Sequence, residues 1–321
     1  MDIRQVTVFG GSGFIGRAIV RALARQGFVV RAAARRIEYA EVLKTAGDVG
    51  QVTLVRANLR MPESVANALR GSQAVVNAAG IPYQRGRQTY DAVHAQGARV
   101  VAEAARSAGV QRLVQISGLG ADNRSSRNAF IRSKVAAEDA VVSAFDDVTI
   151  LRNSVVFGAN DAMFNRLAGI AWAAPFVPLA GNGKAKVQPV FVGDVARATV
   201  AVLARRDSAK SVFELGGPRV YTYREIAELV LRVINRRKPI VAVPTGLMKF
   251  GAFFAQQIAL VGLTPPITVD QVELMLSDNV VRPGARSLAD LDIEPTAAEV
   301  ILPTYLDRFR VGGRYNQHAP A

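Results

Sequence analysis

The run Val6-Thr7-Val8-Phe9-Gly10-Gly11-Ser12-Gly13-Phe14-Ile15-Gly16 constrains the fold more than any other part of the chain. A β-branched strand runs into glycines at 10, 13 and 16, and a helical pattern follows at once. Each of these glycines has its own physical task. Gly10 permits a tight turn, Gly13 lets the backbone approach a pyrophosphate, and Gly16 lets the helix pack close to the strand. Phosphates then rest at the N-terminus of the helix Phe14–Arg25, where unpaired N–H groups and the dipole favour negative charge. The loop predicts a dinucleotide site with Gly10, Ser12, Gly13, Phe14, Ile15 and Gly16 at its phosphate end. A glycine-rich turn without a ligand is the competing reading, and the strand–turn–helix context weighs against it.

Periodicity extends the pattern. Strands are expected at Val6–Phe9, Phe28–Ala32, Val52–Val55, Ala74–Asn77, Arg112–Ile116 and Val148–Leu151. Between them, helical spacing marks Ile15–Arg25, Pro62–Leu69, Ala92–Ala108 and Phe130–Ala144. Such alternation predicts an α/β fold, a doubly wound parallel sheet covered on both faces. The segment Phe157–Lys186 breaks the rhythm, and Val187–Ala204 reads as a return to the sheet before a strand at Val212–Leu215. After Gly216-Gly217-Pro218 come a helix (Thr222–Asn235), a strand (Ile240–Val243) and an apolar helix from about Leu247. The expected domains are therefore a Rossmann domain, residues 1–155 with 186–216, and a smaller C-terminal α/β domain, residues 156–185 with 217–321. The tail after Val311 reads as loose.

The end of the second strand selects the nucleotide. An acidic residue there binds the ribose hydroxyls of NAD, whereas arginine accommodates the 2′-phosphate of NADP. Here the strand runs Val29-Val30-Arg31-Ala32-Ala33-Ala34-Arg35-Arg36, with no carboxylate before Glu38. Arg35, then Arg36, is expected to hold that phosphate, and the cofactor to be NADP(H), in the form NADPH. Asn58 and Leu59 follow the third strand, and Ala78, Ala79 and Gly80 follow the fourth, at the carboxyl ends where such sheets bind ligands. Asn58 offers a carbonyl to an adenine amine, or serves as an ordinary turn residue. The net charge of +14, from 40 Lys+Arg against 26 Asp+Glu, favours anionic partners such as nucleotide phosphates or an anionic lipid surface. Nucleic acid is not expected, because the arginines are scattered and no basic run alternates with aromatics. The chain has no cysteine and two histidines, His94 and His318, so no metal site is expected. No uncharged apolar run reaches the ~20 residues of a bilayer span.

These pieces resemble the short-chain dehydrogenase/reductase superfamily in its extended, atypical branch, which implies the extended type of Rossmann fold. That superfamily joins the glycine loop to a serine on the fifth strand and a Tyr-x-x-x-Lys on the next helix. Its tyrosine passes a proton, and its lysine lowers the tyrosine pKa and holds the nicotinamide ribose. Ser117 matches the serine and Lys134 the lysine, but the tyrosine position is Phe130, which has no proton to give. The resemblance thus implies cofactor binding by Ser117 and Lys134 with a vestigial triad, Ser117, Phe130 and Lys134.

Further motifs narrow the resemblance: Leu151-Arg152-Asn153-Ser154, Gln188-Pro189-Val190-Phe191-Val192-Gly193-Asp194, Thr264-Pro265-Pro266-Ile267-Thr268, Asp278-Asn279-Val280-Val281 and Leu302-Pro303-Thr304-Tyr305-Leu306. They resemble the NAD(P)H-binding accessory-subunit family of respiratory complex I, the NADH:ubiquinone oxidoreductase. The family implies a tightly held NADPH remote from electron transfer, with other complex I subunits as partners and a role in assembly and stability. Asn153 stands where relatives often carry proline, at the nicotinamide end of the cofactor site. The run before Gly10 matches neither a secretory signal nor a transit peptide. A bacterial version is therefore expected, peripheral on the cytoplasmic face of the inner membrane, or on the matrix side for a mature mitochondrial chain. The apolar segment Leu247–Val261 is expected to be buried in the protein, in a partner, or at a membrane surface. The competing classes are an active NAD(P)H-dependent reductase or epimerase and an NADP(H) redox sensor.

Overall fold

The computed structural model of the chain describes residues 3–259 and 263–312. The tail from Gly313, and Leu260 and Val261 of the expected apolar helix, lie outside the described residues. Along the chain run β1 (Gln5–Phe9), α1 (Phe14–Arg25), β2 (Val29–Ala34), β3 (Val52–Arg56), α2 (Pro62–Leu69), β4 (Ala74–Asn77), α3 (Gln96–Ser107), β5 (Arg112–Gly118), α4 (Ala129–Ala144) and β6 (Val148–Asn153). Then come β7 (Val156–Phe157), α5 (Met163–Ala173), β8 (Val177–Ala180), β9 (Lys186–Val187), β10 (Val190–Phe191), α6 (Val192–Ala204) and β11 (Val212–Leu215). The last elements are β12 (Tyr221–Thr222), α7 (Tyr223–Val233), β13 (Ile240–Val243), α8 (Thr245–Gln257), α9 (Val269–Leu274) and α10 (Ala298–Leu306).

Two compact units emerge. The first comprises the chain through Asn153, Val192–Leu215 and Arg282–Glu294. The second comprises Ser154–Phe191, Gly216–Val281 and the chain from Pro295 onward. In the first, seven parallel strands lie in the order β11-β6-β5-β4-β1-β2-β3. Val6, Val8, Val30, Ala32, Val75 and Val76 are fully buried, as both faces of a parallel sheet must be. The strand order turns back at β1, which lies between β2 and β4, so a crevice opens at the carboxyl ends of β1 and β4. Ile19, Val20 and Leu23 form the buried stripe of α1, which packs against α6.

Two expectations need correction. The segment Val187–Ala204 is not a return to the sheet: after two-residue strands it becomes helix α6, burying Val195, Ala198, Thr199 and Val202. An apolar run of this length fits a buried helix as well as a strand, and its alanines favour the helix. The second difference concerns the partition. Residues 186–191 lie in the second unit, and Arg282–Glu294 returns to the first. There Arg282 pairs with Asp122 and Glu214, Glu214 N–H donates to the Arg286 carbonyl at 2.8 Å, and Leu288, Leu291 and Ile293 are buried.

In the second unit the motif residues act as internal fasteners. Gln188 donates from Nε2 to the Gly217 carbonyl at 2.8 Å and accepts the Val281 N–H at 3.0 Å. Asp278 accepts the Lys186 N–H at 2.8 Å, and Asn279 accepts the Ser154 hydroxyl at 2.7 Å. Tyr305 donates to buried Asp161, which also accepts the Phe164 N–H at 2.7 Å near the start of α5. A capping box formed by Thr222 and Glu225 opens α7.

One buried arginine fastens the first sheet to its covering helix. Arg112, at the start of β5, is fully buried and donates to the carbonyls of Val202, at 2.7 Å, and Arg205, both at the end of α6. These carbonyls belong to the set that a helix C-terminus leaves unpaired, and a cation there also suits the dipole. Replacing it with a chain of similar length and no donors, Arg112→Met, should lower unfolding free energy by about 2–3 kcal/mol in urea titration. An unchanged midpoint would show that the cap contributes nothing.

Candidate cofactor site

The glycines of the first loop divide their tasks more sharply than their spacing suggests. Gly10 has φ +75°, and a Cβ on it would lie 2.8 Å from the backbone of Ala78 and Ala79. A Cβ on Gly16 would lie 2.1 Å from the Gly10 carbonyl oxygen. Both positions are closed to side chains by the fold itself. A Cβ on Gly13 would meet only the Gly10 oxygen, at 3.1 Å, so its bareness leaves room for a ligand rather than for the chain. Gly13 is the N-cap of α1, no side chain caps that helix, and its first turn holds no acidic residue. The N–H groups of Phe14, Ile15 and Gly16 thus have the geometry that suits an anion.

A cavity runs from this loop along the crevice. Gly10, Ser12 and Gly13 line it with Ala33–Arg35, Ala57–Arg60 and Ala78–Ile81. Arg35 and Arg60 line it, and Arg36 lies close enough to act on the charge of Arg35. Partial desolvation, then the charges of Arg60 and Arg36, hold the Arg35 guanidinium below its ordinary pKa. A dianionic phosphate would relieve that crowding. The nearest acid, Glu38, is paired with Arg56 at 3.1 Å. Arg36 lies over the Tyr39 ring at 5.9 Å. Asn58 accepts the Arg60 N–H at 3.2 Å, so its side-chain carbonyl shapes the turn even as the residue lines the cavity. Leu59 is buried against Gly97 of α3.

The other end of the crevice gathers Gly80, Lys134 and His94. A Cβ on Gly80 would lie 3.6 Å from His94 Nε2 and 3.8 Å from Lys134 Nζ. Lys134 Nζ sits 5.6 Å from the Phe130 ring centroid, and burial pushes its pKa down to about 8 against the attraction of Glu138. Asn153, at the end of β6, is buried with neither side-chain polar atom partnered. An orphaned carboxamide and a desolvated ammonium fit a ligand rich in hydroxyls and amides.

Ser117 is drawn away from this group. Its hydroxyl donates to Glu138 at 2.5 Å, and Glu138 accepts from Arg152 at 2.7 Å. Arg152 also lies 3.9 Å from Asp122 and 3.8 Å from Glu214, so the serine is tied into a buried charge network. Phe130 offers a phenyl edge to Tyr90 and to His94, each at 5.6 Å. Tyr90 is no substitute for a catalytic phenol: it is buried, and its hydroxyl donates to the Pro82 carbonyl at 3.2 Å. Arg60, His94 and Glu138 carry no motif that marks them in advance. For Glu138 the one cue is its position a helical turn beyond Lys134.

Among the described residues no group of three or more His, Cys, Asp or Glu is placed to hold a metal, and no helix is long and apolar enough to cross a membrane.

A parallel sheet with this loop at its strand-order reversal defines a nicotinamide-dinucleotide-binding Rossmann domain. Residues 6–216 match the model of the NAD dependent epimerase/dehydratase family, and the chain belongs to that family. Within it, the chain is 34% identical over 311 residues to the mitochondrial NADH-ubiquinone oxidoreductase 40 kDa subunit of Neurospora crassa, covering 97% of this chain and 80% of that protein. It is also 30% identical over 250 residues to the ceramide reductase of Caulobacter vibrioides, covering 77% and 76%. The fold matches the Citrobacter triphenylmethane reductase complexed with NADP(H), with TM-score 0.71, 19% identity and coverage of 94% and 99%.

Lys134 gives the ligand-free protein a pH signature. Its pKa is lower folded than unfolded, so between about 8 and the ordinary 10.5 the unfolded chain holds the extra proton. Stability of the ligand-free wild type therefore rises with pH across that window. Lys134→Met should be more stable than wild type at pH 7, by about 1–2 kcal/mol, with the gain fading toward pH 10. A gain that persists unchanged at pH 10, or a loss at pH 7, would contradict a buried, destabilising lysine.

Proposed function

We propose that this chain is a non-catalytic accessory subunit of a respiratory NADH:ubiquinone oxidoreductase that holds NADPH as a structural element. One observation supports this reading: a crevice lined by the glycine loop stands in a chain that has Phe130 at the superfamily's tyrosine position. Ser117 donates to Glu138 and Phe130 has no proton, while the glycine loop, Arg35 and Lys134 remain. Similarity to a complex I subunit over 97% of the chain supports the same conclusion.

In this reading the amides of Phe14, Ile15 and Gly16 hold the pyrophosphate, with Ser12 and Gly13 beside it. Arg35 and Arg36, joined by Arg60, hold the 2′-phosphate. Asn58 and Leu59 flank the adenine, Ala78, Ala79 and Gly80 form the floor, and Lys134 donates to the nicotinamide ribose. Asn153 faces the nicotinamide end. Bound NADPH supplies hydride chemistry in enzymes, but here the position of the superfamily's proton-passing tyrosine is Phe130. The subunit sits peripherally on the side of the inner membrane where the complex carries its NADH-oxidising arm, the cytoplasmic face in a bacterium. Its partners are other complex I subunits, with Leu247, Phe250, Phe253 and Phe254 of α8 exposed for contact. The basic surface suits an anionic lipid face.

A second reading, a reductase acting on a lipid carbonyl, draws on the likeness to the Caulobacter ceramide reductase. It lacks a proton donor at position 130.

Gly13→Val separates the roles, because a Cβ at this position would meet only the Gly10 oxygen, at 3.1 Å. Losing the cofactor removes stabilisation of RT ln(1 + [L]/Kd), about 4 kcal/mol at a thousandfold excess over Kd. In native gels of gently solubilised membranes, the variant should be depleted from complex I and the yield of intact complex lowered. Electron transfer per assembled complex should stay near the wild-type value. Cofactor-free subunit at full occupancy in a stable complex would remove the structural role. Electron transfer falling in proportion to lost cofactor would make the nucleotide a redox participant.

A further inference from the structure

His94 has no part in phosphate binding or in the vestigial triad, yet it is buried beside the nicotinamide end of the crevice. It lies in a short π-helix, Asp91–Ala95, that opens into α3. Such widened turns recur at functional sites, where they redirect a side chain inward.

The ring's hydrogen bonds fix its state. The Ile81 N–H donates to Nε2 at 3.0 Å, so Nε2 carries no proton. In the neutral ring the proton then sits on Nδ1, which donates to Ser133 Oγ at 2.8 Å. The Ser133 hydroxyl donates in turn to the Phe130 carbonyl at 2.6 Å. Burial, reinforced by the positive charge of Lys134, pushes the imidazole pKa down to about 3, so the ring stays neutral at any ordinary pH. Tyr90 stacks on it with centroids 5.5 Å apart, and Phe130 meets it edge-on at 5.6 Å.

One relay thus runs from the Ile81 amide through His94 and Ser133 to the Phe130 carbonyl. Its first end belongs to the cavity floor, since Gly80 and Ile81 line the crevice after β4. Its other end is the first turn of α4, one turn before Lys134. Lys134 Nζ and His94 Nε2 both approach Gly80 from this side.

We propose that His94 is a positioning residue for the cofactor: it locks the Gly80–Ile81 floor to the helix that carries Lys134, and so sets the socket of the nicotinamide ribose. This rests on the dinucleotide-binding reading above. Phe130 acquires a task in the same arrangement, because its phenyl edge clamps the imidazole where a phenol would need a further partner. The relay has a donor matched to an acceptor at every step, and the neutral ring needs no counter-charge.

The test measures binding of two probes to the full chain by calorimetry, NADPH and adenosine 2′,5′-bisphosphate, which lacks the nicotinamide mononucleotide half. His94→Leu keeps bulk and removes both hydrogen bonds; His94→Gln restores an acceptor and a donor. His94→Leu should weaken NADPH about tenfold, the scale of one lost positioning contact, and leave the bisphosphate within about twofold. His94→Gln should recover most of the NADPH affinity. An equal loss for both probes would mean general damage to the fold and would overturn the proposal, as would unchanged NADPH binding in His94→Leu. Wild-type protein that binds neither probe would instead overturn the dinucleotide reading itself, and this inference with it.

Discussion

Backbone touches backbone where β1 turns into α1, and the rest of the first unit is arranged around that contact. A single methyl on Gly16 would overlap the Gly10 carbonyl, and one on Gly10 would run into Ala78 and Ala79. The loop therefore fixes the distance between α1 and β1 and between β1 and β4 in one step. With those distances set, the helix N-terminus points along the crevice opened by the reversal of strand order. The exposed helix N-terminus is a consequence of close packing, and of Gly10, Gly13 and Gly16 only Gly13 is not demanded by that packing.

Around this frame, residues at two of the superfamily's catalytic positions are committed to other contacts. Glu138 and Arg152 draw the Ser117 hydroxyl into a network shared with Asp122, Glu214 and Arg282. Its buried and part-buried members, Glu138, Arg152 and Glu214, need partners, and removing one strands the others. The network also holds Arg282–Glu294 against the sheet, so it is a structural joint rather than an acid–base device. By contrast, Asn153 is buried with neither side-chain polar atom partnered, and burial lowers the Lys134 pKa despite the attraction of Glu138.

The parts of this account legible in the sequence are those governed by local periodicity. The glycine spacing, the six strands through Val148–Leu151 and the absent acid before Glu38 all declare themselves within a few residues. Val187–Ala204 misleads because an apolar run with small residues satisfies two periods at once. The return of Arg282–Glu294 to the first unit depends on Glu214 and Asp122, which lie far away in sequence and leave no periodic trace. Arg60 and His94 reach the crevice through a turn and a π-helix, neither of which has a spacing rule. The loss of Ser117 to Glu138 is a matter of side-chain direction, which a match in motif position does not reveal.

The central claim is that the crevice is built for a 2′-phosphorylated dinucleotide whose binding stabilises the fold. Thermal melting of the purified, nucleotide-stripped chain against rising NADPH and, separately, NADH addresses it most directly. Linkage requires the melting temperature to climb with the logarithm of free ligand once that exceeds Kd. The account predicts a rise of several degrees with NADPH, and the same rise with NADH only at concentrations at least ~10-fold higher, because Arg35 and its neighbours have no phosphate to meet. Equal shifts with the two nucleotides would contradict the arginine assignment. No shift with either would contradict the nucleotide as a structural element of this protein.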